Sequence, residues 1–410
     1  MKIRNMSSLA LALSALSAIA LGWLLGATGH ADVAVRFVEP LSKIFFRLVR
    51  LLVVPLAFLS IVSAALSCGD VRRTGRLYLR TTLLFFATSL LAATFAVTVG
   101  LAVRSWAFPA LPTEGLDLHG MRPCRSMTDS LLSLIPESVL QPFVGGGFTQ
   151  LEVVAILLTV PLLLVDSGLR RRAAEDISRW RDVFDLAGRA MAFLLPAGSF
   201  CLLCTVVATD EAVSIGACRT LVWVSVACLS AHLVLIQLPM VFFFADIRPI
   251  AFLRSVFPVF MSSLFSFSSA ATYPVALQSV RKLGIDKASS DFVVSTGLGA
   301  NANGSAIFQG LAAVFIARSY GVPMGFGSVC AIILSVTVVS MLFSEGTPGS
   351  DLPQLGMVLT VIGIPAEGIA LVVCADLVLD PLMTAVNAIG DISSSVVVSA
   401  VSSGGTTERT

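Results

Sequence analysis

The sequence predicts an all-α polytopic membrane protein, with eight transmembrane helices and two re-entrant helical hairpins. Three observations predict it. The chain of 410 residues is 56% hydrophobic and only 13% charged, against roughly 25% charged in a soluble domain. Apolar runs of about 20 residues, enough to cross a bilayer, recur along it. Two further apolar segments are interrupted by Ser, Gly and Pro, and such backbone enters a membrane only where protein covers it. The net charge of +2, with no basic domain, gives no footing for a nucleic-acid partner.

The spans fall at 8–28, 42–67, 79–107, 130–166, 184–209, 217–246, 288–317 and 365–401. The first begins like a signal peptide, but its apolar run is long and more spans follow, so it reads as a helix. The interrupted segments, 250–280 and 322–362, are the re-entrant elements. Basic clusters test the count: Lys2 and Arg4; Arg72, Arg73, Arg76 and Arg80; Arg170, Arg171, Arg172, Arg179 and Arg181; Arg248 and Arg254; Arg281, Lys282 and Lys287. They fall on alternate loops, and the positive-inside rule then places both termini in the cytoplasm of a multi-pass inner-membrane protein. The loop 108–128 is rich in Pro and poor in Lys and Arg. The eight cysteines lie in apolar surroundings. Cys201 and Cys204 form one CxxC with no second pair nearby, which reads as small core residues.

Four polar stretches carry the chemistry. In the last span, ADLVLDPLMTAVNAIGD (375–391), Asp376, Asp380, Thr384, Asn387 and Asp391 recur at helical spacing. The last four lie within roughly 60° of arc. A carboxylate at the centre of a membrane helix costs about 2.5–3.5 kcal/mol, so the stripe should face a cavity, a cation or a bound ion. Pro381 removes one helical hydrogen bond beside it. The stretch STGLGANANGS (295–305) should unwind, because its glycines and asparagines weaken a helix. Backbone carbonyls and Asn side chains then offer oxygens to a hard cation. SLFSFSSAATYP (263–274) reads as a hairpin tip whose hydroxyls and amides suit a carboxylate. FSEGTPGSDLPQLG (343–356) reads as a second, mobile tip. Paired interruptions of this kind point to an inverted-repeat core with a site at mid-membrane.

Taken in order, FSSAATYPVAL, NANGSAIFQG, SEGTPG, MVLTVIGIP and DLVLDPLMTAVNAIGD resemble the glutamate transporter family, the dicarboxylate/amino acid:cation symporters. VEPLSKIFFRLVRLLVVPLAF and TFAVTVGL are similar to its second and third helices. The resemblance covers nearly the whole chain apart from 105–128. It implies a homotrimer in membrane lipid. Residues 1–246 would be mainly a trimerisation scaffold, with the third and sixth helices joining the mobile domain. Residues 247–401 would hold the transport core: hairpin 1, helix 7, hairpin 2 and helix 8. Residues 402–410 would be a cytoplasmic tail. The mobile domain would carry an amino acid or carboxylate by an elevator movement coupled to sodium or protons, with no other cofactor.

The resemblance also implies a site. Ser268, Ser269, Asp380, Met383, Thr384 and Asn387 match substrate positions. Gly297, Asn301, Asn387 and Asp391 match one sodium site, and backbone at Gly299, Ser344, Glu345 and Thr347 a second. A third uses an aspartate and two hydroxyls where this chain has Asn303, Ala92 and Ala93, so that site should be absent. Acidic-substrate members carry an arginine at Met383 or at Phe267. Without a bidentate guanidinium, the expectation is a neutral amino acid; the alternative is glutamate, aspartate or a C4-dicarboxylate. Glu345 and Asp351 are extra acids that read as solvated loop residues, the alternative being that one of them is a protonatable group. An intramembrane enzyme lacks support: His30, His119 and His232 are scattered, and Asp376 and Asp380 share one helix instead of opposing each other. A channel fits a gated, occluded site poorly.

Overall fold

Gly and Asp punctuate the chain where its first long helices meet. The structure is a computed structural model describing residues 8–103, 131–145, 147–191, 194–209, 218–342, 351–364 and 366–402, and among them there is no strand. Helix α1 (Ser8–Ala27) is apolar along its length. Helix α2 runs continuously over Ala31–Ser67, with a π turn at Ala34–Val38 and Pro55 inside it. Gly69, at φ +77°, makes the left-handed turn that follows. Asp70 then caps α3 (Val71–Ala102), its carboxylate accepting from the amides of Arg72 and Arg73. The following helices are α4 (Phe148–Leu164), α5 (Ser167–Met191), α6 (Leu195–Ala208) and α7 (Arg219–Ala245).

Helix length departs from the expected count. Among the described residues five helices are long and apolar enough to span: α2, α3, α7, Pro249–Ser266 and the stretch Ala375–Val401. Phe148–Leu164 and Leu195–Thr205 are shorter apolar helices. The described residues of the expected fifth span, 184–209, belong to two helices of different character: its first residues end the strongly amphipathic α5, and α6 is apolar. A hydropathy window cannot see that difference, because it averages across the two.

The first hairpin forms as expected. Helix α8 (Pro249–Ser266) ends at Phe267, which is left-handed at φ 52°. That conformation costs a bulky residue roughly 1–2 kcal/mol, and Phe267 is held in it by burial. The reversal hands the chain to Ser268, whose hydroxyl accepts from the Ala271 amide and caps α9 (Ser269–Lys282). The two arms pack on each other and on the last helix.

The expected seventh span is two helices, α10 (Lys287–Ala300) and α11 (Asn303–Ser319), broken only at Asn301 and Ala302. The glycines do not make the break, which corrects the expectation. Gly297 and Gly299 are helical and serve close approach. A Cβ on Gly299 would lie 2.8 Å from the Thr149 amide nitrogen of α4. One on Gly304 would lie 2.5 Å from the Met383 carbonyl. Backbone cannot yield as a side chain does, so Gly304→Ala is expected to destabilise by about 1–3 kcal/mol, read by thermal unfolding in detergent. A melting temperature equal to that of the parent would contradict this close approach.

The second hairpin is α12 (Phe326–Leu342) and α13 (Asp351–Val361); its tip, 343–350, lies outside the described residues. It packs on α3 and α11. Helix α14 (Val373–Ser402) runs unbroken through Pro381. At the centre, α11 is buried on every face from Asn303 to Ala317, the pattern of a helix enclosed by its neighbours.

Basic residues expected only as topology signals also form a network. Arg181 of α5 pairs with Asp182 and with Asp291 of α10. Arg281 of α9 joins Asp185 to Asp291, and Lys287 reaches Asp182.

Candidate binding site

The stripe on α14 meets the break between α10 and α11. Asp376, Asp380, Thr384 and Asp391 are all buried, and the Thr384 hydroxyl donates to Asp380 Oδ1 at 3.4 Å. The break leaves the first amides of α11 without helical partners. Asn387 supplies one: its Oδ1 accepts from the Gly304 amide at 2.6 Å, while its Nδ2 donates to Ser305 Oγ at 3.2 Å.

Part of the first expected cation set meets there. Asn301 Nδ2 donates to Asp391 Oδ1 at 2.8 Å. The Asn301 amide oxygen is buried with no partner. Gly297 faces the same carboxylate so closely that a Cβ would lie 2.2 Å from Asp391 Oδ1. A buried carboxylate beside an orphaned amide oxygen suits a hard cation. Gly297, Asn301 and Asp391 of the expected set are thus brought together, whereas the Asn387 amide is engaged by Gly304 and Ser305.

The other two sets differ. The Gly299 carbonyl accepts from Thr149 Oγ1 at 2.9 Å; Ser344, Glu345 and Thr347 lie outside the described residues. Ala92 and Ala93 are fully buried. A hydroxyl nonetheless faces Asn303, against expectation: Ser89 Oγ, one turn earlier on α3, donates to Asn303 Oδ1 at 3.1 Å. Its signal was its place three and four residues before the two alanines. Gln237 was missed. It ends the π turn Leu233–Gln237 of α7, a kink common at functional sites, and its Nε2 donates to the Val386 carbonyl. A Cβ on Gly390 would lie 3.1 Å from the side-chain nitrogens of both Asn301 and Asn303, and 3.3 Å from that of Gln237.

At the substrate end, Ser268 is buried, and Ser269 opens α9 behind it. Met383 is fully buried in the apolar cluster around α11. A cavity of 740 Å³ reaches Ser268 and Ala270 from the side of α2, where Lys43, Arg47 and Arg50 line it; Lys43 is paired with Glu39. Asp351 corrects an expectation. It is buried, not solvated, and accepts from Gln309 Nε2 at 3.2 Å. His30 is exposed and His232 buried with neither ring nitrogen bonded; His119 lies outside the described residues. No group of three metal-ligating side chains occurs among the described residues.

A model of the sodium:dicarboxylate symporter family matches residues 11–401. The chain is similar to the proton/sodium-glutamate symport protein of Bacillus subtilis (strain 168), at 25% identity over 92% of this chain and 90% of the relative. It is similar to the C4-dicarboxylate transport protein of Bordetella avium (strain 197N), at 27% identity over 88% of this chain and 82% of the relative. Excitatory amino acid transporter 2 of Homo sapiens is 25% identical over 88% of this chain and 72% of its own length.

Proposed function

The chain belongs to the sodium:dicarboxylate symporter family, and from that premise we propose that it moves a small solute with two carboxylates: glutamate, aspartate or a C4-dicarboxylate. Its family and relatives are secondary transporters, not enzymes. The observation that carries the substrate is the near-full-length similarity to proteins named for glutamate and C4-dicarboxylates. The neutral preference expected from Met383 and Phe267 finds no support among them. Lys43, Arg47 and Arg50 outnumber Glu39 around the cavity that reaches Ser268, and a net positive lining favours the same anionic solute.

In this reading Asp391 and Asn301 hold a coupling sodium, and Asp380, Thr384 and Asn387 with the Ser268–Ser269 tip hold the solute. Transport is by an elevator movement of residues 247–401 with the expected third and sixth spans, α3 and α7, in a homotrimer of the inner membrane with both termini cytoplasmic. A neutral amino acid is the second reading, favoured by Met383 and Phe267, which are apolar and buried. Counterflow in proteoliposomes separates the two. L-glutamate, L-aspartate and succinate are compared with neutral amino acids, with and without sodium. Exchange of an acidic solute is expected; exchange of neutral amino acids alone would replace the first reading by the second. No exchange of any of them would reject both.

A further inference from the structure

We propose that Asp351 is a proton-binding site of the transport cycle, taking up a proton with the solute and releasing it on the other side. The inference rests on the symporter reading. Asp351 is 7% exposed, and its carboxylate is held by Gln309 and Ser305 of α11. Asp376 of α14, 3% exposed, stands within electrostatic reach of Asp351 and of Asp380.

Two atoms there ask for a donor. Gln309 Nε2 is spent on Asp351 Oδ1 and on Gln354 Oε1 at 2.8 Å. Its own Oε1 is fully buried with no partner. Asp376 Oδ1 is also buried with no partner. Both are acceptors, and a buried acceptor left bare costs about 1–3 kcal/mol.

Among the described residues, the cation on the elements packed on α13 is Arg318 at the end of α11, and its guanidinium is engaged elsewhere, donating to the Leu101 and Val103 carbonyls. Helix α14 brings Asp376 within electrostatic reach of Asp351, with Asp380 one turn further on, α12 carries only the Cys330 thiol, and α11 has no titratable group from Asn303 to Ala317. The turn Ala366–Leu371 carries Glu367. Among the described residues no lysine or arginine is in reach of Asp351 or Asp376. Like charges within electrostatic reach of each other disfavour joint ionisation. A proton satisfies every term. It removes one charge and turns an acceptor-only carboxylate into a donor, which Gln309 Oε1 or Asp376 Oδ1 then accepts.

The pocket is joined to the solute stripe by one hydroxyl. Ser305 contacts Asp351, and its Oγ accepts from Asn387 Nδ2. Protonation of Asp351 therefore changes what Ser305 offers to Asn387. The step balances simply: the carboxylate takes H⁺ from water on the loading side, and the acid returns H⁺ to water on the other. No heavy-atom bond changes.

Two measurements on the full chain test this. The first is infrared difference titration of purified protein without solute. A protonated-carboxyl carbonyl band is expected, lost in Asp351→Asn and displaced in Asp351→Glu. The second is uptake of L-glutamate and succinate into proteoliposomes at fixed sodium. The ratio of uptake with an inward proton gradient to uptake without it is expected to fall to one in Asp351→Asn. A gradient effect undiminished in Asp351→Asn overturns the proposal, as does an infrared band that neither variant alters. If wild-type protein moves neither solute, the symporter reading fails for both, and the infrared arm still decides on Asp351. If Asp351→Asn does not fold, the Asp351→Glu band decides alone.

Discussion

Asp391→Ala is expected to abolish the sodium dependence of solute binding. Asp391 is 4% exposed, and it faces an amide donor, Asn301 Nδ2, and the bare backbone of Gly297. Only the carboxylate brings a negative charge to that pocket, so its removal leaves a cation with neutral oxygens. Truncating one partner of a buried charge pair costs roughly 2–5 kcal/mol, or about 30-fold to several-thousand-fold in sodium affinity. A sodium titration followed by thermal shift reads the change directly. Gly297→Ala is the control for geometry. It retains the carboxylate but puts a Cβ 2.2 Å from Asp391 Oδ1, so it should weaken sodium in the same direction. Sodium dependence unchanged in both variants would remove the pocket from the cycle. The same titration in Ser89→Ala should show little change, because Ser89 meets Asn303 and not the carboxylate.

How much of this was legible depends on where each partner lies. The α14 stripe was legible, because Asp380, Thr384, Asn387 and Asp391 repeat at the helical period on one apolar helix. The break at Asn301 was legible in part: the stretch that should unwind was found, but the break falls at Asn301 and Ala302 and not at the glycines. What the glycines do was not. Gly297, Gly299 and Gly304 are small because of Asp391, α4 and Met383 respectively, and those neighbours are remote in sequence. Gln237 was hidden for a related reason. A π turn shifts the face it presents, and a regular 3.6-residue period misplaces it. Asp351 looked like a loop acid because its neighbours in sequence are Gly, Ser and Pro; its burial comes from α11 and α14, which pack over the hairpin. The difference between α5 and α6 was lost because one hydropathy window averaged an amphipathic helix with an apolar one.

Asp291→Ala is expected to cost the fold about 3–5 kcal/mol. Asp291 is fully buried in α10. Arg281 Nη2 of α9 lies 3.3 Å from its Oδ1, and Arg181 Nη1 of α5 lies 3.6 Å from its Oδ2. Truncation leaves two guanidinium groups facing an apolar methyl, one of them on Arg181, whose side chain is only 8% exposed. The desolvation already spent on those cations is then offset only by Asp182 and Asp185, and that, more than the lost attraction, sets the size of the effect. Arg171→Ala supplies the contrast. Its partner Glu175 lies at 3.0 Å, but both side chains are exposed, and such pairs contribute about 0–1 kcal/mol. Thermal unfolding in detergent should therefore separate the two variants clearly. Raising the salt should narrow the Arg171 effect and leave the Asp291 effect standing, because buried pairs are screened far less. Equal melting temperatures for the two variants would mean that α5, α9 and α10 are held by apolar packing alone. The double variant Asp291→Ala with Arg281→Ala tests the coupling. If Asp291 and Arg281 act as one pair, its loss is smaller than the sum of the single losses by at least about 0.5 kcal/mol.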